Sequence, residues 1–237
     1  MKKITALVVT LLMAGVLFAQ TKSLDKNSAF YIYMKGSKTT LSSNEELDYA
    51  KSFERSTYNK YKNDEFEWDE QFTAIKQSLK NKIGEADLDS TYAIVTGVEF
   101  GDYDFTNEGF PVSIGEGTFF PFGRFDNWTS TSSGSILGKQ IALKLDSFEK
   151  YNFFAMPKAD AKTFLQSRKS NSGYVNRDIT LQITYKLAKF DSNEYKDFKD
   201  LALSNDYLPL VGIIERIEVY DVSNSRNVKK IGELTKK

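Results

Sequence analysis

The sequence predicts an α+β fold, with N-terminal helices packed on a mainly antiparallel β-sheet and short helical crossovers. Three observations carry this expectation. Apolar residues recur at helical spacing as far as Ile83. From Tyr92 onward the apolar period becomes two. Helical and strand-like stretches follow one another in blocks rather than alternating, as in α+β domains.

The chain opens with Lys2 and Lys3, followed by a nearly continuous apolar run from Ile4 to Phe18, then Ala19 and polar sequence from Gln20. This is the plan of a secretory signal, with cleavage expected after Ala19. The run is about 15 residues, short of the roughly 20 that span a bilayer. Residues 20–237 then form the mature chain, expected to be soluble, periplasmic or secreted, with no membrane span after cleavage.

Residues 20–42 surround one apolar patch, Phe30, Tyr31, Ile32 and Tyr33, which reads as a first strand. Ser43 and Glu46 read as a capping box. They open a helix to about Tyr61, with Leu47, Ala50, Phe53, Thr57 and Tyr61 near one face. Asp64 and Glu67 repeat the pattern before a second helix. There Trp68, Phe72, Ile75, Leu79 and Ile83 form an apolar stripe, and Gly84 is placed to end it.

Residues 92–100 are apolar and β-branched and read as a strand. Ile141, Leu143 and Leu145 alternate with polar or small residues in 136–146. The alternation is strongest in 178–188. Ile179, Leu181, Ile183, Tyr185 and Leu187 point one way, and Thr180, Gln182, Thr184 and Lys186 the other. Strands with one wet face belong mostly to antiparallel sheets. Another strand covers 211–222, and Ser223–Asn227 turns the chain into a last strand from about Val228 to Leu234. One short helix starts at Pro157, suited to a first helical position, and ends near Arg168. A second lies near 192–203, with Asp191 and Glu194 as caps. Thr129–Ser135 reads as a loop, not a boundary, so 20–237 is expected to be a single domain.

Several blocks resemble a family of exported bacterial proteins classified only as a domain of unknown function. They are Tyr103–Pro111 (YDFTNEGFP), Met156–Arg168 (MPKADAKTFLQSR), Gly173–Leu187 (GYVNRDITLQITYKL) and the helix entry Asn63–Trp68 (NDEFEW). Together they span about residues 60 to 190. The resemblance implies a secreted or periplasmic domain and carries over no active residues.

Composition excludes much chemistry. With His 0 and Cys 0, imidazole general acid/base work, Ser-His-Asp triads, thiol nucleophiles and His- or Cys-ligated metals have no residues to run on. The full chain balances 32 basic against 32 acidic residues, without the basic excess of a nucleic-acid binder. No cofactor and no metal are expected. Ser-x-x-Lys occurs at Ser23–Lys26 and Ser147–Lys150 without the Lys-Thr-Gly partner of the penicillin-binding enzymes. Asp102, Asp104, Asn107 and Glu108 supply oxygens at calcium-like spacing, but the series lacks the length of an EF-hand loop and reads as a solvated turn. Glu215 interrupts the inward series Val211, Ile213, Ile217, Val219. Either it is a desolvated acid on the inner face, or a β-bulge at Ile213–Ile214 turns it outward. The bulge is the expected reading.

The stretch Glu108–Trp128 poses the sharpest question. Phe110, Val112 and Ile114 alternate as in a one-sided strand. Farther on, Phe119 and Phe125 fall on one face of an extended chain, Phe120 and Phe122 on the other. Either protein covers both faces, or rings are offered to a ligand. In the second reading Phe119, Phe122, Phe125 and Trp128 stack on a small molecule, glycan or peptide, while Arg124 and Asn127 give direction. The expected function is therefore an exported, non-catalytic binding or envelope-associated protein. The alternative is a carboxylate-dependent hydrolase acting on cell-wall or extracellular glycan, which needs two carboxyls facing one cleft.

Overall fold

The computed structural model describes residues 21–115, 117–123, 135–200, 207–224 and 227–236, the side chains of 197–200 excepted. The expected signal segment, 1–19, lies outside them. The architecture is α+β, as expected: among the described residues, six α-helices and a mainly antiparallel mixed sheet.

The first element is a two-residue strand, β1 (Lys22–Ser23), and the second a helix, α1 (Lys26–Ser37). The apolar patch Phe30–Tyr33 therefore lies in a helix, not in the expected strand. Asp25 starts it by accepting the Ser28 N–H at 2.7 Å. Phe30 and Ile32 are buried, and Tyr31 and Tyr33 pack against the core from either side. A helix covered nearly all round has no polar face to give a helical period, and its β-branched and aromatic residues suggest a strand instead.

Next come α2 (Ser43–Phe53), α3 (Arg55–Tyr61) and α4 (Glu65–Glu85). The capping box exists one residue earlier than expected. Ser42 is the cap, its hydroxyl accepting the Glu45 N–H at 3.4 Å while the Glu45 carboxylate accepts the Ser42 N–H at 2.9 Å. The expected single helix to Tyr61 breaks at Glu54. Asp64 caps α4 through the N–H groups of Phe66 and Glu67. On α4, Ile75 and Leu79 are buried, and Trp68, Phe72 and Ile83 pack against the core. Gly84 sits inside the last turn, and Ala86 is the C-cap.

The strands are β2 (Thr91–Glu99), β3 (Gly109–Pro111), β4 (Phe119–Pro121), β5 (Gln140–Leu145), β6 (Phe153–Ala155), β7 (Asp178–Leu187), β8 (Tyr207–Asp221) and β9 (Lys229–Leu234). Helices α5 (Lys158–Ser167) and α6 (Asn193–Asp200) cross between them. Pro157 is the N-cap of α5 rather than its first residue. On α6, Ser192, not Asp191, accepts the Tyr195 N–H.

The main sheet runs β1-β2-β7-β8-β5-β4, with β9 also on β8. β2–β7, β7–β8, β8–β9 and β4–β5 are antiparallel; β1–β2 and β5–β8 are parallel. β8 is the spine, pairing with β5 along its first half, β9 along its second and β7 across the middle. One face carries Leu143, Leu210, Ile183 and Ile217, all 0% exposed, and meets the helices. A two-stranded sheet, β3–β6, stacks Phe110 and Phe154 on Phe100 at 4.8 and 5.3 Å between ring centres. Gly109 is required there, because a Cβ would strike the Phe154 carbonyl and the Phe153 ring.

The expected wet face of β7 is less wet than the alternation implies. Gln182 and Thr184 are each 5% exposed. Their β8 neighbours are the longer Glu218 and Arg216, and Glu218 also bonds Lys230 of β9. Short side chains between long ones on an open face lose water without entering a core. Glu215 is turned outward by a bulge, but the bulge is at Glu215 and not at the expected Ile213–Ile214, so that Ile214 faces the main core while Val211 and Ile213 lie on the other face with Ala188 and Tyr195. The register with β7 shifts between Thr184 and Tyr185, leaving Glu215 as the extra residue, exposed and paired with Lys186 at 2.7 Å.

Candidate functional site

A cleft of about 520 Å³ lies between α1, the α1–α2 connection, α2 and α4. Its floor is apolar: Met34 from α1, Leu41 from the connection, Leu79 and Ile83 from α4. Its rim is polar, with Thr39, Thr40, Glu46, Thr73, Gln77, Lys76 and Lys80.

Local chemistry holds each wall. Lys38 adopts a left-handed conformation (φ 54°) that ends α1. The Ser37 hydroxyl then bonds the Tyr33 carbonyl and the Thr39 hydroxyl, both at 2.7 Å. The Ser42 capping box fixes the far end of the same connection. Lys35 donates to the Gly84 and Ala86 carbonyls at 2.8 and 2.6 Å, tying α1 to the C-terminus of α4 where cations are favoured. Tyr49 of α2 is 0% exposed, stacks on Phe53 at 4.4 Å and shares a hydroxyl hydrogen bond with Tyr31. Burial, then that bond, pushes its phenol far above the ordinary tyrosine range. Lys82 pairs with Glu54 at 3.1 Å, fixing α4 to the α2–α3 junction.

Charge at the rim is uncommitted. Among the described residues, Lys76, Lys80 and Glu46 form no ion pair. Lys76 lies over the Phe72 ring, 5.0 Å from its centre. A second cleft of about 290 Å³, between β1, α1 and the end of α4, has no such freedom. Its lysines are already used, Lys22 by Asp87 at 2.6 Å and Lys82 by Glu54. The first cleft therefore has the volume, apolar floor and few free polar groups of a small-molecule site.

The sequence-derived ligand residues divide. Phe119 is half-buried on the sheet face away from the helices, its ring 5.1 Å from Tyr207. Phe122 packs against the core, with its N–H on the Ile141 carbonyl at 2.9 Å. Phe120 also faces the core, near Phe148. Arg124, Phe125, Asn127 and Trp128 lie outside the described residues. Phe122→Ala is expected to cost about 3 kcal/mol by opening a cavity, measurable as a loss of melting temperature. A loss under about 1 kcal/mol would place the ring at the surface.

The remaining motifs serve the fold. The Asp104 carboxylate accepts the N–H groups of Thr106 and Asn107 and the Asn107 amide, which closes a turn. Asp102 pairs with Arg177 at 3.1 Å. Among the described residues no three metal-ligating side chains converge. Ser147 bonds its neighbour Asp146, and Lys150 is exposed. The cleft is not legible in the sequence, because its floor comes from residues that read as helix core and its lysines are two among many.

Fold and cleft together define an α+β domain with a helix-lined pocket. Residues 43–167 match the family described as Domain of unknown function (DUF4852), and the chain belongs to that family. The matched stretch contains α2 and α4, two of the three helices that line the cleft. No curated protein and no solved structure is detectably similar.

Proposed function

We propose that the chain is an exported, non-catalytic binding protein of bacterial origin, and that its ligand is a small molecule with an apolar body and an acidic group. The cleft carries this reading. Met34, Leu41, Leu79 and Ile83 offer an apolar floor, and Lys76 and Lys80, one helical turn apart on α4, offer two cations to Glu46's one anion. The N-terminal pattern of Lys2, Lys3 and the Ile4–Phe18 run supports export. Cleavage after Ala19 leaves every described element in place, from β1 onward. The rings of Phe119 and Tyr207 are a further surface on which a glycan or peptide ligand can stack.

A glycan hydrolase has weaker support. Two carboxyl pairs come together on the outer sheet face. Glu99 faces Asp178 across β2 and β7, and neither lines either of the two clefts above; Glu218 and Glu233 share the Lys230 ammonium, at 2.6 Å from each. Lys230 lowers the Glu233 pKa, whereas a general acid needs a raised one.

Laurate and lauryl alcohol are suitable probes, followed by calorimetry on the mature chain. Laurate is expected to bind, the alcohol more weakly, and Lys80→Glu to weaken laurate by about tenfold. Leu41→Arg, which places a cation on the floor, is expected to abolish binding by both. Binding that ignores Leu41→Arg would put the ligand elsewhere. Intact mass of the protein from its native host tests export: a chain starting near Gln20 supports it, and a full-length chain held in the membrane rejects it.

A further inference from the structure

The first strand of the main sheet covers only the start of β2. Lys22 pairs with Tyr92 and Ser23 with Ala93, after which the chain turns away into α1. At the other end of β2, the Gly101 N–H donates to the Pro111 carbonyl at 2.8 Å, and Phe100 bridges Val112. Between these two covers, the edge from Ile94 to Glu99 has no partner strand among the described residues.

The direction of the open groups follows from the ladder. Phe100 donates its N–H to Arg177, on the β7 side. Gly101, one residue on, donates to the opposite side. The β2–β7 register is unbroken, so alternation places the N–H and C=O of Val95 and Gly97 and the N–H of Glu99 on the open edge, the Glu99 carbonyl being turned to the Phe100–Val112 bridge. Edge strands are usually protected by lysine, proline or a bulge. Ile94, Val95, Thr96, Gly97 and Val98 include none of these, and Val95 is 52% exposed.

The end of this window holds a second unsatisfied feature. Glu99 and Asp178 are direct cross-strand partners and both are exposed. Like charges directly opposite destabilise a sheet, and among the described residues neither carboxylate has a cation beside it.

We propose that the open edge of β2 takes an extended peptide segment of another protein, about five residues long, with uncharged β-branched side chains and a lysine or arginine at the end beside Glu99 and Asp178. Strand addition satisfies the outward N–H and C=O groups of Val95 and Gly97 and the Glu99 N–H, and the cation relieves the carboxylate pair. The window is about five residues at roughly 3.3 Å each. A second copy of β2 paired about Thr96 does not fit it. Antiparallel pairing centred on Thr96 sets the copy's Glu99 opposite Ala93 and its Phe100 opposite Tyr92, where Ser23 and Lys22 already lie.

The test uses the mature chain and a capped heptapeptide of alternating valine and threonine with one terminal lysine. Amide hydrogen exchange is read residue by residue. Exchange at Val95, Gly97 and Glu99 is expected to slow by on the order of tenfold or more when peptide is added. A peptide with glutamate in place of lysine is expected to bind about tenfold more weakly, and Glu99→Lys to reverse that preference. Val95→Pro removes one outward N–H while leaving the β7 ladder intact, and is expected to abolish the protection. If Val95→Pro fails to fold, the reversal in Glu99→Lys decides the matter. Unchanged exchange at all three amides overturns the proposal. Protection without peptide that grows with protein concentration assigns the edge to a second copy, and also overturns it.

Discussion

Ile183→Asp is expected to leave the chain unfolded at room temperature. Ile183 is 0% exposed in the middle of β7, between Ile94 of β2 and Ile217 of β8, on the face that meets the helices. The substitution removes a buried aliphatic side chain and sets a carboxyl among apolar neighbours. Even in its neutral form that carboxyl lacks hydrogen-bond partners, a cost of several kcal/mol. Lost burial adds about 2 kcal/mol. Together these approach the whole stability of an ordinary domain, about 5–15 kcal/mol. The measurement is a far-ultraviolet thermal melt. A native-like transition at an unchanged temperature would mean that β7 is turned over. Thr184→Asp, one residue along on the other face, is expected to be mild, because Arg216 lies directly across from it.

The second large effect belongs to Asp221→Ala. Arg168 closes α5 with a guanidinium that is only 1% exposed. It donates to the Asp221 carboxylate at 2.8 Å and to the carbonyls of Asn176 and Asp178 at 3.2 and 2.7 Å, and lies 4.6 Å above the Phe164 ring. Its Nε is buried with no partner. Removing the carboxylate leaves a buried cation without a counter-charge, at a cost of about 3–5 kcal/mol. Arg168→Met in the Asp221→Ala background is expected to recover part of the loss, since it removes the stranded charge. Additive losses would mean that the pair is not coupled. The pair also sets a pH dependence. Burial raises the Asp221 pKa, but the Ser223 N–H and hydroxyl and the Arg168 guanidinium outweigh it and hold the carboxyl below its ordinary value. A lowered folded pKa gives stability that is present above the unfolded value, about 3.9. It is lost as pH falls through the folded value. The melting temperature is expected to drop below about pH 4, and Asp221→Ala to flatten that part of the curve.

Much of the fold is legible in the residues themselves. The α4 stripe, the β7 alternation, the Asp64 cap and the Glu215 bulge each follow from a local period or its interruption. The reading of Phe30–Tyr33 as a strand failed because α1 is buried nearly all round, and periodicity needs a wet side to be visible. The Ser42 cap is a shift that adjacent Ser-Ser and Glu-Glu pairs cannot resolve, since Ser42 with Glu45 and Ser43 with Glu46 match the same pattern; the break at Glu54 has no glycine or proline to announce it. The candidate sites are less legible. The cleft floor reads as core because it is core on its other side. The open edge of β2 depends on where β1 stops, which is set by Asp25 starting a helix rather than by anything in β2. The aromatic segment was the conspicuous feature, and its described half turns Phe120 and Phe122 inward.

The spine strand β8, Tyr207–Asp221, follows β2, β5 and β7 in the chain. During synthesis, β2, β5 and β7 all leave the ribosome before the strand that joins them. β7 can pair with β2, but β5 has only the three residues of β4 to pair with until β8 arrives. The helices lack the joined sheet face that they cover. Loop closure over such separations is slow and comes late. In a nascent chain of this topology the core therefore stays incomplete until β8 is made, however early the helices form.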